Sequence, residues 1–315
     1  MKMTLRVVMI CALCAILACC GKKDREGTIK EGLSGKRITV YVTSCPLYVF
    51  TKRIGDGFVE VINPLPEGAD PSVWMPEREV IEQYQQKADL IIINGASYEK
   101  WIDKVALPEE KVVNTAMPFE SEFIRIKGVV THSHGKSGKH SHEGIDGHTW
   151  LDPVLARTQS EVIKDALVAF DRKHAGKYEE NFRGLRARLD LLDAELRILS
   201  NRYRGQVFAA SHPAYNYLAR RYGWKVKSFE FSPEAVPDEY ALEHFEDFVS
   251  RNRVKYIIWE EYPSENVENY FSKKFGIKSV EFSPAENPAG REEKSREDYF
   301  SIMEKNIKNI EGLFE

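Results

Sequence analysis

Short apolar strands alternate with helices twice along this chain, on either side of one long charged helix, and that pattern limits the fold more than any other feature. In the first run, residues 37–43, 59–62, 89–93 and 111–114 read as strands, and 46–55, 77–87 and 98–105 as helices. In the second, strands are expected at 207–210, 225–231, 255–259 and 278–282, with helices at 215–222, 237–251, 266–275 and 296–314. Between the runs lie a helix at 153–170 and a longer one at 177–203. In the longer helix Leu185, Leu189, Leu192, Leu196 and Leu199 recur at three- and four-residue spacing and form one apolar stripe. The predicted fold class is α/β: two lobes, each with a mainly parallel sheet flanked by helices, joined by the long helix, with a cleft between them. The predicted boundaries are 36–172 for the first lobe, 173–204 for the linker helix and 205–315 for the second lobe.

The N-terminal end has a different character. Lys2 and Arg6 precede an uncharged apolar stretch at 7–18, followed by Cys19, Cys20, Gly21 and a polar run. A basic start with about a dozen apolar residues reads as a secretion signal, too short to span a bilayer. The run Ile16-Leu17-Ala18-Cys19 looks like a lipobox, so residues 1–18 are expected to be removed and Cys19 acylated, with Cys20 as the alternative. Residues 19–35 are charged and aperiodic and read as a flexible tether to the lipid. Four of the five cysteines belong to the N-terminal segment, and the body keeps only Cys45, so a disulfide framework is excluded. The net charge of −3, or −5 without Lys2 and Arg6, gives no basic face for nucleic acid.

Five of the eight histidines fall within 17 residues: His132, His134, His140, His142 and His148. The first four stand in a Gly/Ser/Lys/His-rich segment (131–147), read as a loop whose imidazoles capture a borderline divalent ion. The plainer reading is a solvated loop without a ligand. His148 stands instead in Asp146-Gly147-His148-Thr149-Trp150-Leu151-Asp152-Pro153, just before a helix that Asp152 can cap and Pro153 can open. His212 follows the strand at 207–210 in Ser211-His212-Pro213-Ala214-Tyr215. Taken alone, each is more often a structural histidine than a ligand.

Lipobox, Gly68-Ala69-Asp70-Pro71, the strand ending Asn94-Gly95 followed by Trp101, the His-rich segment, the HTWLDP motif, the long helix and Ser-His-Pro occur in one order. This combination resembles the zinc/manganese family of ABC-transporter solute-binding proteins, specifically its zinc branch, over about residues 37–315. The resemblance implies a metal held between two lobes by four groups. The HTWLDP histidine corresponds to His148, and the ligand after the first strand of the second lobe to His212, an imidazole there favouring zinc over manganese. The other two positions carry Ser72 and Ser283, where the family tends to have a histidine and an acidic residue. A neutral hydroxyl is a poor zinc ligand. Asp70, Glu281 or Glu286, Glu260 or Glu261, and the loop imidazoles are the replacement donors open to the chain. Glu281 should point away from Phe282 by strand alternation.

The expectation is therefore a lipid-anchored extracytoplasmic binding protein, at the periplasm or cell surface. It would capture a divalent ion, zinc ahead of manganese, and deliver it to an ABC permease and its ATPase. It is read as a monomer and not an enzyme, since no HExxH or similar motif supports a zinc hydrolase. The alternatives are a surface lipoprotein on the same scaffold, acting as adhesin or metal buffer, and a homologue with altered or lost metal binding. Free imidazole chemistry sets the expected loss of affinity near pH 6.5.

Overall fold

A computed structural model describes residues 37–134, 138–287 and 298–313, with side chains for all of these but 127–143. The expected signal at 1–18, the tether at 19–35 and the acylated Cys19 or Cys20 lie outside the described residues.

The first run folds into β1 (Ile38–Val42), α1 (Cys45–Gly55), β2 (Val59–Ile62), α2 (Arg78–Gln86), β3 (Leu90–Ile93) and β4 (Val112–Asn114). These strands make one parallel sheet in the order β2-β1-β3-β4. The segment at 131–147, expected as a loop, falls largely within an antiparallel hairpin of β5 (Arg125–His134) and β6 (Gly138–Ile145). The apolar and β-branched residues Ile126, Val129, Val130 and Thr131 supply the strand propensity that the surrounding glycines and lysines obscure. Its register sets His132 opposite His140. The side chains of His132, His134, His140 and His142 lie outside what is described.

Two helices follow, α3 (Pro153–Phe170) and α4 (Ala175–Arg202). Asp152 caps α3 by accepting from the Val154 N–H, and Pro153 opens it, as its sequence predicts. On α4 the five striped leucines are all buried, each contributing about 1.5–3 kcal/mol of apolar transfer. They join one core with residues of α1, from the first run, and of α3. The second run gives β7 (Val207–Ala210), α5 (Asn216–Tyr222), β8 (Lys225–Ser228), α6 (Glu239–Arg251), β9 (Val254–Trp259), α7 (Glu265–Phe275), β10 (Lys278–Glu281) and α8 (Tyr299–Glu311). Its parallel sheet has the order β10-β9-β7-β8. Counted within each run, both sheets share one strand order, second-first-third-fourth. In each, the order reverses at the first strand, and loops leaving the carboxyl ends beside that switch point are where such sheets bind ligands.

One expected helix is reduced. Residues 98–105 form only a 3-10 turn at Ile102–Lys104, because Gly95, Ala96 and Ser97 all take positive φ (79°, 51° and 55°) and turn the chain left-handed before it. Gly95 is obligatory there: a Cβ on it would lie 2.0 Å from Asn114 Oδ1. Among the described residues no helix is long and apolar enough to cross a membrane.

Candidate metal centre

His148 sits on the turn between the hairpin and α3. Its backbone N–H and its Nδ1 both reach Asp146 Oδ1, at 2.9 and 2.7 Å. Asp146 Oδ2 in turn accepts from Asn216 Nδ2 of α5 at 2.9 Å. The ring is therefore fixed from behind, with Nε2 pointing away from Asp146. Gly147 lets the turn lie against the loop after β3, since a Cβ there would come 2.7 Å from Tyr98 Cβ. The rings of Tyr98 and Trp150 pack on His148 at 5.7 and 5.5 Å between centroids.

His212 leaves the carboxyl end of β7 and is buried beside His148, with ring centroids 5.5 Å apart at 88°. Its Nδ1 is 3.7 Å from Glu260 Oε2, beyond a hydrogen bond but close enough for charge to matter. Glu260 follows β9, the strand beside β7.

Glu286 completes the group. His148 Nε2 lies 2.7 Å from Glu286 Oε1, and the Tyr98 hydroxyl donates to the same oxygen at 3.2 Å. One candidate ligand atom from each of His148, His212 and Glu286 lies within 4.8 Å of the others. The chain delivers Glu286 there by a sharp bend: Ala285 takes φ 60°. Its neighbours then clasp the first lobe: Cys45 N–H donates to the Glu286 carbonyl (3.2 Å), and Asn287 Nδ2 to the carbonyls of Pro66 and Ala69 (2.8 and 2.9 Å). Trp150 Nε1 donates to the Pro284 carbonyl at 2.7 Å.

The remaining sequence candidates fall elsewhere. Glu281 turns to α8 and pairs with Lys305 Nζ at 2.9 Å, on the side opposite buried Phe282, as strand alternation requires. Asp70 closes its own loop, accepting from the Ser72 N–H at 2.8 Å. Ser72 is buried, and neither it nor Asp70 joins the three-residue group. Ser283 exchanges two hydrogen bonds with Asn306, its N–H donating to Oδ1 (2.9 Å) and its carbonyl accepting from Nδ2 (2.7 Å). Glu260 stands behind His212 and not beside the third corner. Asp146, Tyr98 and Asn216 did not emerge from the sequence as site residues. For Asp146 the signal was present, an aspartate two positions before the histidine in a tight Asp-Gly-His turn.

Burial by itself disfavours a charged His148, but the Asp146 and Glu286 carboxylates outweigh it and push the pKa up to about 10. A cation taking Nε2 would have to displace the proton that such a raised value keeps on the ring. The pH at which protons compete is raised accordingly above the 6.5 of free imidazole.

The chain is similar to known proteins in sequence and in fold. The sequence profile of zinc-uptake complex component A, periplasmic, matches residues 40–312. The chain belongs to that family. It is similar to the zinc-binding lipoprotein AdcA of Streptococcus pneumoniae, 28% identical over 314 residues covering 98% of this chain, although the chain spans only 60% of that relative's length. The high-affinity zinc uptake system protein ZnuA of Bacillus subtilis is 28% identical over 310 residues, covering 95% of this chain and 94% of the relative. The crystal structure of the Zn(II)-bound ZnuA-like domain of S. pneumoniae AdcA superposes with a TM-score of 0.73 at 27% identity, over 88% of this chain and 98% of that one. The two-lobed α/β fold of the zinc-uptake component is thus the fold observed.

Proposed function

We propose that His148, His212 and Glu286 hold one divalent transition-metal ion, zinc, as cargo. The chain is then the extracytoplasmic solute-binding lipoprotein of an ABC importer, anchored through Cys19, and hands the ion to a membrane permease and its ATPase. One observation carries this reading: two imidazoles and a carboxylate, drawn from both lobes, converge within 4.8 Å. Two nitrogens and one oxygen are a donor set suited to zinc, which is usually four-coordinate and accepts a water in the remaining place. Carboxylates behind metal-binding imidazoles fix the ring and raise its basicity; Asp146 does so for His148, and Glu260 stands where it can act on His212. The family membership and the zinc-binding relatives point the same way. Nothing in the donor set calls for catalysis, since the ion is the thing transported.

A zinc-soaked crystal with an anomalous difference map tests the reading. A single strong peak bounded by His148, His212 and Glu286 is expected. No peak there at saturating zinc would sink the ligand assignment while leaving the fold intact.

A further inference from the structure

Glu286 offers two carboxylate oxygens, and one of them is already engaged on the side away from His212's lobe. Oε1 accepts the Tyr98 hydroxyl at 3.2 Å as well as facing His148 Nε2 at 2.7 Å. When a cation takes Nε2, the histidine proton leaves, but the phenol remains a donor and stays on Oε1. Tyr98 has little freedom to move off. Its side chain is 3% exposed and lies edge-on against Trp150, with centroids 4.8 Å apart. Its loop is set by the left-handed run from Gly95 to Ser97. The buried Glu99 carboxylate holds the start of that run, accepting from the N–H groups of Asn94 (2.7 Å) and Gly95 (3.2 Å). Gly147 leaves no gap into which the ring could retreat.

We propose that Tyr98 is a specificity-determining residue: by occupying Glu286 Oε1 it makes Glu286 a one-oxygen ligand and so favours a four-coordinate ion over one that needs more oxygen donors. This rests on the assignment of His148, His212 and Glu286 as the metal site. An oxygen that accepts a phenol's hydrogen bond is the weaker donor to a cation, so binding through both oxygens of Glu286 is disfavoured. Zinc loses little, because one oxygen, two nitrogens and a water complete a tetrahedron. Manganese(II) prefers octahedral, oxygen-rich surroundings, and two-oxygen binding by Glu286 is the protein's readiest way to supply them. Withholding Oε1 therefore penalises manganese selectively. The two ions differ here in coordination demand and not in charge, so selectivity must come from geometry and donor count.

The test uses the full chain, with zinc and manganese(II) each titrated in competition against a chromophoric chelator. Tyr98→Phe keeps the ring and removes only the hydroxyl. The expected result is a fall in the zinc-to-manganese affinity ratio of roughly tenfold or more (about 1.4 kcal/mol), chiefly through tighter manganese binding, with zinc affinity within about threefold of the parent. A manganese-loaded crystal of the variant should show Glu286 binding through both oxygens, and the parent through one. A ratio unchanged within threefold, or both affinities falling together, would overturn the proposal and leave Tyr98 a packing residue. His148→Ala, run alongside, separates the two levels. If that variant keeps the parent's zinc affinity, the metal site itself is misassigned and the role of Tyr98 falls with it.

Discussion

The two histidines of the proposed centre stand at different distances from the carboxylates around them. His148 stands on a turn at the head of α3, with both nitrogens and its backbone amide engaged at 2.7–2.9 Å, and aromatic rings of Tyr98 and Trp150 against it. His212 follows a strand end, with the Glu260 Oε2 at 3.7 Å from its Nδ1. The same strand order builds both lobes, yet the first supplies a ligand from a helix-capping turn and the second from the sheet's switch point. The first lobe thus offers a pre-set corner, and the second brings a histidine and Glu286 to it. Outer partners that orient a ligand ring typically cost about 10–100-fold in affinity when removed.

That contrast can be broken by substitution. The largest effect is expected from the ligands: His148→Ala and His212→Ala should each weaken zinc binding by more than roughly a hundredfold in competition titrations, beyond the about 10–100-fold typical of losing an outer partner. Equal zinc affinity in either variant would remove that residue from the centre. One step out, Asp146→Asn should cost about 10–100-fold, because it loosens both the ring and the amide of His148. Glu260→Gln should cost less than tenfold, since its Oε2 stands 3.7 Å from His212 Nδ1, against 2.7 Å for Asp146 and His148. Equal losses in the two variants would show that the shorter carboxylate contact at His148 does not make it the more dependent on its partner.

Most of the fold was legible because hydrophobic period is written locally. The leucine stripe of α4, the Asp152-Pro153 start of α3 and nearly every strand appear where their period puts them. The departures occur where backbone sign decides. Three positive φ angles at 95–97 replace a helix, and one at Ala285 steers the chain after Pro284, and period carries no information on either. That bend is also why the sequence left five acidic residues, Asp70, Glu260, Glu261, Glu281 and Glu286, open for the missing corner. Glu281 belongs to the strand, so alternation alone removes it; Glu286 lies past the bend, where only the fold says which way it faces. His148 and His212 were legible from their motifs. Tyr98 and Asn216 were not, since each acts on a residue distant in sequence, 188 and 70 positions away.

Smaller effects sharpen the comparison further. Gly147→Ala should destabilise the fold by about 1–3 kcal/mol, because the new Cβ meets Tyr98 atoms at 2.7–2.9 Å, backbone included. A melting temperature equal to the parent's would show that the first-lobe corner has more give than its contacts imply.

The smallest effect concerns the clamp that ties α5, the helix after His212, to α4. Asp193 accepts from Arg221 Nε (2.6 Å) and the Tyr222 hydroxyl (2.8 Å), while the same Arg221 Nε lies 3.2 Å from Asp152, the cap just past His148. Burial alone would push the Asp193 pKa up, but the hydrogen bonds from Arg221, Tyr222 and Arg197 outweigh it and bring it from 3.8 down to about 2. A depressed carboxyl pKa contributes stability above the unfolded value and loses it as pH falls through the folded one. Asp193→Asn should therefore cost about 1 kcal/mol at pH 7, after allowance for solvent screening. The deficit should shrink between about pH 4 and pH 2, as the parent's own carboxyl protonates. Denaturant midpoints for parent and variant at pH 7 and pH 2.5 measure this directly. A deficit that stays constant across that interval would mean Asp193 stabilises by shape and not by charge.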